Sequence, residues 1–218
     1  MNVKDRHLFL FGGGPPMTDQ LARNFSQMVG EGPVVILYLK RENVGIEQYS
    51  SIFTDSIVKH EPNQEFIFLQ LKQRYSEEEI ECLYKASAVI IGGGDSVKYQ
   101  QYVVQSEIGE VLKRVYAQGV PLAGHSAGAL IVPDTCVISA EDNEERVILF
   151  KEGLGLLSNL VLSVHYLEWQ EEEHLKQSLE VLNAPEGYGI AEQSGVYMRN
   201  EQLETAEGYV HVQRRSYS

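Results

Sequence analysis

The chain predicts an α/β fold: a mostly parallel sheet flanked by helices on both faces, with a small C-terminal β extension. Three observations carry this expectation. Short apolar runs alternate with amphipathic segments through the first part of the chain. Several of those runs are apolar without interruption, as strands buried on both faces must be. Glycines then close the first, fourth and fifth runs, where a parallel sheet presents its functional loops.

Each element follows from its residues. His7-Leu8-Phe9-Leu10-Phe11 reads as the first strand and ends in Gly12-Gly13-Gly14-Pro15-Pro16. Residues 18–29 have a helical pattern. Val34-Val35-Ile36-Leu37-Tyr38-Leu39 is the second strand, 46–58 a second helix, and Phe66-Ile67-Phe68-Leu69 the third strand. Ser76 followed by Glu79 makes a capping box, which opens a helix running to about Lys85. Ala88-Val89-Ile90-Ile91 is the fourth strand and enters Gly92-Gly93-Gly94. A helix over 107–117 precedes a fifth strand over 120–124. After Pro133 the rhythm changes. Strand-like pieces at 147–149, 161–164, 195–198 and 209–212, with one acidic helix over 168–182, predict hairpins that extend the sheet. No repeat or linker interrupts the chain, so residues 1–218 read as one domain.

Composition narrows the function. Of 218 residues, 18 are Lys or Arg and 31 are Asp or Glu, a formal net charge of −13. Such a chain is repelled by nucleic acid and by anionic membrane surfaces, so neither is an expected partner. No run approaches the roughly 18 apolar residues of a spanning helix. The first residues lack a signal-peptide core and cleavage site. The two cysteines, Cys82 and Cys136, form no disulfide framework, and no Cys/His cluster has metal-ligand spacing. These features describe a cytoplasmic protein with reduced thiols and no metal.

The chemistry centres on Gly124-His125-Ser126-Ala127-Gly128. A serine between small residues, where a buried strand turns sharply into a helix, is a nucleophile elbow. The tight turn holds the hydroxyl out at the strand's carboxyl end. The following helix turns its amino end to the site, which frees the Ala127 N–H for an oxyanion. A serine hydroxyl needs a base, most often histidine. Of His7, His60, His125, His165, His174 and His211, only His165 follows an apolar run at a strand end. His125 adjoins the serine and is expected to point away, and His174 lies in the acidic helix, where a solvated role is expected. The base needs a carboxylate. Asp134, Glu141, Asp142, Glu168 and Glu192 are candidates. Glu192 is the isolated one, closing Tyr188-Gly189-Ile190-Ala191, whereas Glu168 suits a helix cap and Glu141 and Asp142 belong to a charged loop. Gly94 is the second expected oxyanion donor. Gly93, Asp95 and Lys98 surround the same turn and are candidate substrate contacts. Glycine runs also cradle phosphates, but neither 12–14 nor 92–94 is followed by the Lys-Ser/Thr of a P-loop.

Four stretches together resemble peptidase family S51, which holds aspartyl dipeptidase and cyanophycinase. They are Phe11-Gly12-Gly13-Gly14, Ile91-Gly92-Gly93-Gly94-Asp95-Ser96, the block from Gln118-Gly119-Val120-Pro121 through Ser126 to Ala129, and Gly189-Ile190-Ala191-Glu192. The resemblance implies a fold like that of class I glutamine amidotransferases, with serine at the elbow in place of cysteine. It also implies peptide hydrolysis by a Ser126-His165-Glu192 triad, a small peptide or isopeptide substrate, no cofactor, and a monomer or homodimer. Around His165 the chain departs from the family: it reads Tyr166-Leu167-Glu168-Trp169 where cyanophycinase-like members are arginine-rich. The rival readings are an esterase of the α/β-hydrolase type and a non-catalytic binding module on the same scaffold. The first requires its acid between serine and histidine, and only 38 residues lie there.

Overall fold

The computed structural model describes residues 4–41 and 43–215. A seven-stranded sheet forms its centre. The strands are β1 (His7–Phe11), β2 (Val34–Tyr38), β3 (Phe66–Gln70), β4 (Ala88–Ile91) and β5 (Leu122–His125), followed much later by β10 (Gly195–Arg199) and β11 (Gln202–Glu207). Their order is β11-β10-β1-β5-β4-β2-β3. The five early strands run parallel, and β10 and β11 add antiparallel at the β1 edge.

The apolar runs have no polar alternation because each face of the sheet meets its own core. Leu8, Leu10, Val35, Leu37, Val89 and Ile91 face one layer, together with α3 (Glu77–Tyr84) and α5 (Glu107–Ala117). Phe9, Phe11, Val34, Ile36, Ala88 and Ile90 face the other, under α1 (Asp19–Met28) and α2 (Ser51–Val58). Burying a side chain of this size stabilises by about 1.5–3 kcal/mol before ordering costs. The capping box forms as predicted: the Ser76 hydroxyl accepts from the Glu79 N–H, and the Glu79 carboxylate accepts from the Ser76 N–H.

Beyond the elbow helix α6 (Ala127–Leu130), β6 (Thr135–Ile138) pairs with β7 (Leu149–Glu152) as an antiparallel hairpin. A separate three-stranded sheet joins β8 (Leu160–Val164), β9 (Glu186–Ile190) and β12 (Val210–Arg214), with α7 (Glu172–Leu182) against it. Cys82 lies in α3 and Cys136 in β6, both as free thiols. No helix among the described residues is long and apolar enough to cross a membrane.

Several boundaries differ from expectation for local reasons. The helix expected over 46–58 splits into a 3₁₀ turn (Ile46–Gln48) and α2, because Tyr49 leaves the helical region to bury its ring. The acidic helix starts only at Glu172. Residues 166–171 form turns instead, with Gln170 at φ 55°. The piece expected at 147–149 pairs over Leu149–Glu152. Ahead of it Asn143 Nδ2 donates to the Val147 carbonyl at 2.8 Å, and Arg146 sits at φ 54°. The strand preceding His165 joins the small sheet rather than the central one.

Candidate active site

Three parallel strands deliver their carboxyl ends to one place. In the β1–β5 register Phe11 lies beside His125, and in the β4–β5 register Ile91 lies beside Gly124. The loops that begin at Gly12, Gly92 and Ser126 therefore emerge together. Ser126 sits at φ 50°, ψ −112°, a sharp turn that an L-residue adopts only under strain. Its N–H is held by the Phe11 carbonyl at 3.0 Å, and the Gly128 N–H by the Gly92 carbonyl at 3.1 Å. The flanking glycines are forced by close approach. A Cβ on Gly128 would lie 2.4 Å from the Ile91 carbonyl oxygen, and one on Gly124 2.5 Å from that of Gly128.

His165 and Glu192 come from the small sheet. The parallel β8–β9 pair sets Val164 beside Ile190, so the residues that follow leave side by side. The Gly12 loop then docks both onto the elbow. The Gly12 carbonyl accepts from the His165 N–H at 3.0 Å. A Cβ on Gly12 would lie 2.1 Å from the Ile190 carbonyl, and one on Gly13 2.6 Å from that of Glu192. The first glycine run is thus a backbone-to-backbone seam.

The three side chains meet in a row. Ser126 Oγ is 2.9 Å from His165 Nε2, and His165 Nδ1 is 3.0 Å from Glu192 Oε1. Glu192 Oε1 fixes the tautomer with a proton on Nδ1, leaving Nε2 to accept from the serine hydroxyl. Ser126 is buried, His165 largely so, and the Glu192 side chain is half exposed.

No other acid candidate hydrogen-bonds the His165 ring among the described residues. Glu141 pairs with Arg146 at 2.9 Å. The Asp142 carboxylate accepts from the Ser96 hydroxyl, and burial pushes its pKa up to about 6 against the pull of Ser96 and His165. Glu168 does not cap α7; its Oε2 accepts from the Glu192 N–H at 3.2 Å, and Glu171 stands at the helix start. Asp134 lies beside Gly155. His125 stacks on Phe11 at 4.5 Å within the core, where burial lowers its pKa to about 3. It is neutral at pH 7 and no base for Ser126. His174 is not solvated as expected: it is one-tenth exposed and pairs with the buried Glu171, which also accepts from Ser139 Oγ at 2.6 Å.

The second glycine turn borders the serine. A Cβ on Gly93 would come within 3.3 Å of Ser126 Cβ, and the Tyr99 hydroxyl donates to the Gly93 carbonyl at 3.3 Å. Gly94 takes φ +149°. Ala127, first in α6, has a backbone N–H with no backbone acceptor among the described residues. Asp95 caps α4 (Ser96–Tyr99) by accepting from the Lys98 N–H, and its other oxygen is 3.6 Å from Lys98 Nζ. Both side chains line a cavity of about 620 Å3, together with Glu141, Asp142 and Glu144. Sequence reasoning missed Trp169, whose ring stacks on His165, and the parts played by Asp142 and Glu168. Only the spacing of Trp169 four positions after His165 hinted at the first.

Fold likeness gives the architectural class. The chain superposes on a peptidase from an acI-B1 Actinobacterium with a TM-score of 0.72 and 18% identity, over 97% of this chain and 90% of that one. It superposes on a protein provisionally assigned as peptidase E from Listeria monocytogenes EGD-e with a TM-score of 0.60 and 16% identity, over 97% of this chain and all of that one. A search of curated protein sequences finds no significant match. The model of peptidase family S51 matches residues 47–206, most of the chain, with Ser126, His165 and Glu192 inside that span. The chain belongs to peptidase family S51. That membership makes it a peptidase, and so a hydrolase.

Proposed function

We propose that this peptidase is of the serine type and cleaves small peptides or isopeptides through an acyl-enzyme on Ser126. The carrying observation is the continuous Ser126-His165-Glu192 contact at a strained elbow. Ser126 Oγ attacks the scissile carbonyl carbon while its proton passes to His165 Nε2. Glu192 holds the imidazole and stabilises the imidazolium. The N–H groups of Ala127 and Gly94 receive the oxyanion, each worth about 3 kcal/mol in the transition state. His165 then gives its proton to the leaving amine, and the amine departs. Water then attacks the acyl carbon as His165 takes its proton, and His165 passes that proton to Ser126 Oγ as the acyl–oxygen bond breaks, freeing the acid product.

Gly93, beside the serine, and Asp95 and Lys98, on the cavity wall, are the proposed substrate contacts. The proposed setting is the cytoplasm, as a monomer or homodimer. The order serine, histidine, glutamate speaks against an α/β-hydrolase esterase, whose acid precedes its histidine. Contact among all three side chains speaks against a mere binding module. A dipeptide library read by mass spectrometry tests the proposal. Cleavage of a defined subset by the native protein, lost in Ser126→Ala, is expected. Equal cleavage by Ser126→Ala would overturn it.

A further inference from the structure

The chain has a single tryptophan, and it lies against the proposed base. The Trp169 and His165 ring centroids are 4.3 Å apart, with planes inclined by 27°. The Trp169 backbone N–H donates to the His165 carbonyl at 2.8 Å, so one backbone turn folds the indole back over the imidazole. Both ring nitrogens of His165 are already engaged at its edge, by Ser126 and Glu192. Trp169 covers a face. The His165 side chain is only 15% exposed although its partner Glu192 is 50% exposed.

An indole face is the best aromatic surface for attracting a cation. The relay creates one cation, the His165 imidazolium, and creates it in the transition state. We propose that Trp169 is a positioning residue for His165: its face holds the imidazole in line between Ser126 and Glu192 and stabilises the ring when it is protonated. This rests on the reading of His165 as the base. A simple spacer would make no such distinction, because leucine covers a ring nearly as well but has no electron-rich face. The groups facing His165 are Glu192 from the loop after β9, Ser126 from the elbow, Asp142 from the turn after β6, and Trp169 itself. Glu168, on the same turn as Trp169, reaches the site through the Glu192 N–H. All these charges persist when only Trp169 is changed.

The test uses the tryptophan as its own reporter. A protonated imidazole quenches a stacked indole by accepting an electron from its excited state. Indole emission of the native protein should rise with pH in a single step that depends on His165. That step should vanish in His165→Gln. In parallel, Trp169→Leu should lower kcat/KM roughly three- to tenfold through kcat, with KM unchanged. It should also move the acid limb of the pH profile down by roughly half a unit, because the imidazolium loses its favourable face. Trp169→Phe should recover most of both. Emission that is flat with pH, or a step that survives His165→Gln, would overturn the inference, as would a Trp169→Leu enzyme matching the native one in kcat and acid limb. Activity persisting in Ser126→Ala would strike the relay reading instead, and the emission titration still judges the stack without any turnover.

Discussion

Ser126 carries a backbone conformation, φ 50°, that serine tolerates poorly and glycine accepts. Two consequences separate chemistry from stability. Ser126→Ala should lower kcat by about 10⁵-fold or more while the protein stays folded, checked by steady-state kinetics beside circular dichroism. Ser126→Gly should be equally inactive yet more stable than Ser126→Ala by about 1 kcal/mol in urea unfolding, since only glycine relieves the turn. Equal stability would mean that the elbow stores no strain. Glu192→Gln should cost less, about 10⁴-fold, because the imidazole keeps a partner but loses the charge that stabilises its protonated form. The serine was legible in the sequence because everything that marks it lies within two residues on either side. Glu192 also stood out, as an isolated carboxylate closing an apolar run, but that it reaches His165 while Glu168 meets the Glu192 N–H depends on the β8–β9 register.

At the level of elements, the first glycine loop matters as much as the elbow. Gly12→Ala forces a Cβ onto the Ile190 carbonyl, so the β1 loop and the β9 loop must part. We expect roughly 1–3 kcal/mol of destabilisation. The loss of kcat/KM should be about 100-fold, because a shift of about 1 Å misaligns His165 and Glu192. Kinetics with unchanged alignment would contradict the seam. Helix α3 offers a milder check. Ser76→Ala removes one half of the capping box and should cost about 1 kcal/mol, a fall in Tm of about 2–4 °C. The early strands and α5 could be read from the sequence because an uninterrupted apolar run and a 3.6-residue stripe are local signals. Strand β11, Gln-Leu-Glu-Thr-Ala-Glu, gave no such signal, since an exposed edge strand owes its pairing to β10 rather than to its own burial. The start of the acidic helix was misplaced for a related reason: Glu168 and Trp169 have helical character but are drawn into contacts with Glu192 and His165.

For the molecule as a whole, the buried His125 and the partly buried Asp142 set opposite trends with pH. His125 titrates near 3 in the fold against 6.5 when exposed, because burial disfavours its charge. The unfolded chain therefore binds the extra proton between these values. Its contribution is fully present above about pH 6.5 and is lost as pH falls towards 3, by up to about 1.4 kcal/mol per pH unit. Asp142 titrates near 6 against 3.8, so the fold holds its proton longer and its deprotonation weakens the fold as pH rises from about 4 to 6. Asp142→Asn should thus raise stability at pH 7, on the order of 1–2 kcal/mol, and leave it little changed at pH 4. Urea unfolding at the two pH values decides this, and a destabilised Asp142→Asn protein at pH 7 would refute it. The general plan of the sheet follows from composition and periodicity. The convergence of Ser126, His165 and Glu192 depends on two sheets meeting at the Gly12 seam, which no local pattern encodes.

The most direct measurement is covalent labelling with a fluorophosphonate, followed by intact-mass analysis and peptide mapping. Activation of Ser126 by His165 and Glu192 predicts one adduct per chain, located on Ser126, absent in Ser126→Ala and strongly slowed in His165→Gln. A native protein that forms no adduct, or forms it at the same rate without His165, would contradict the account.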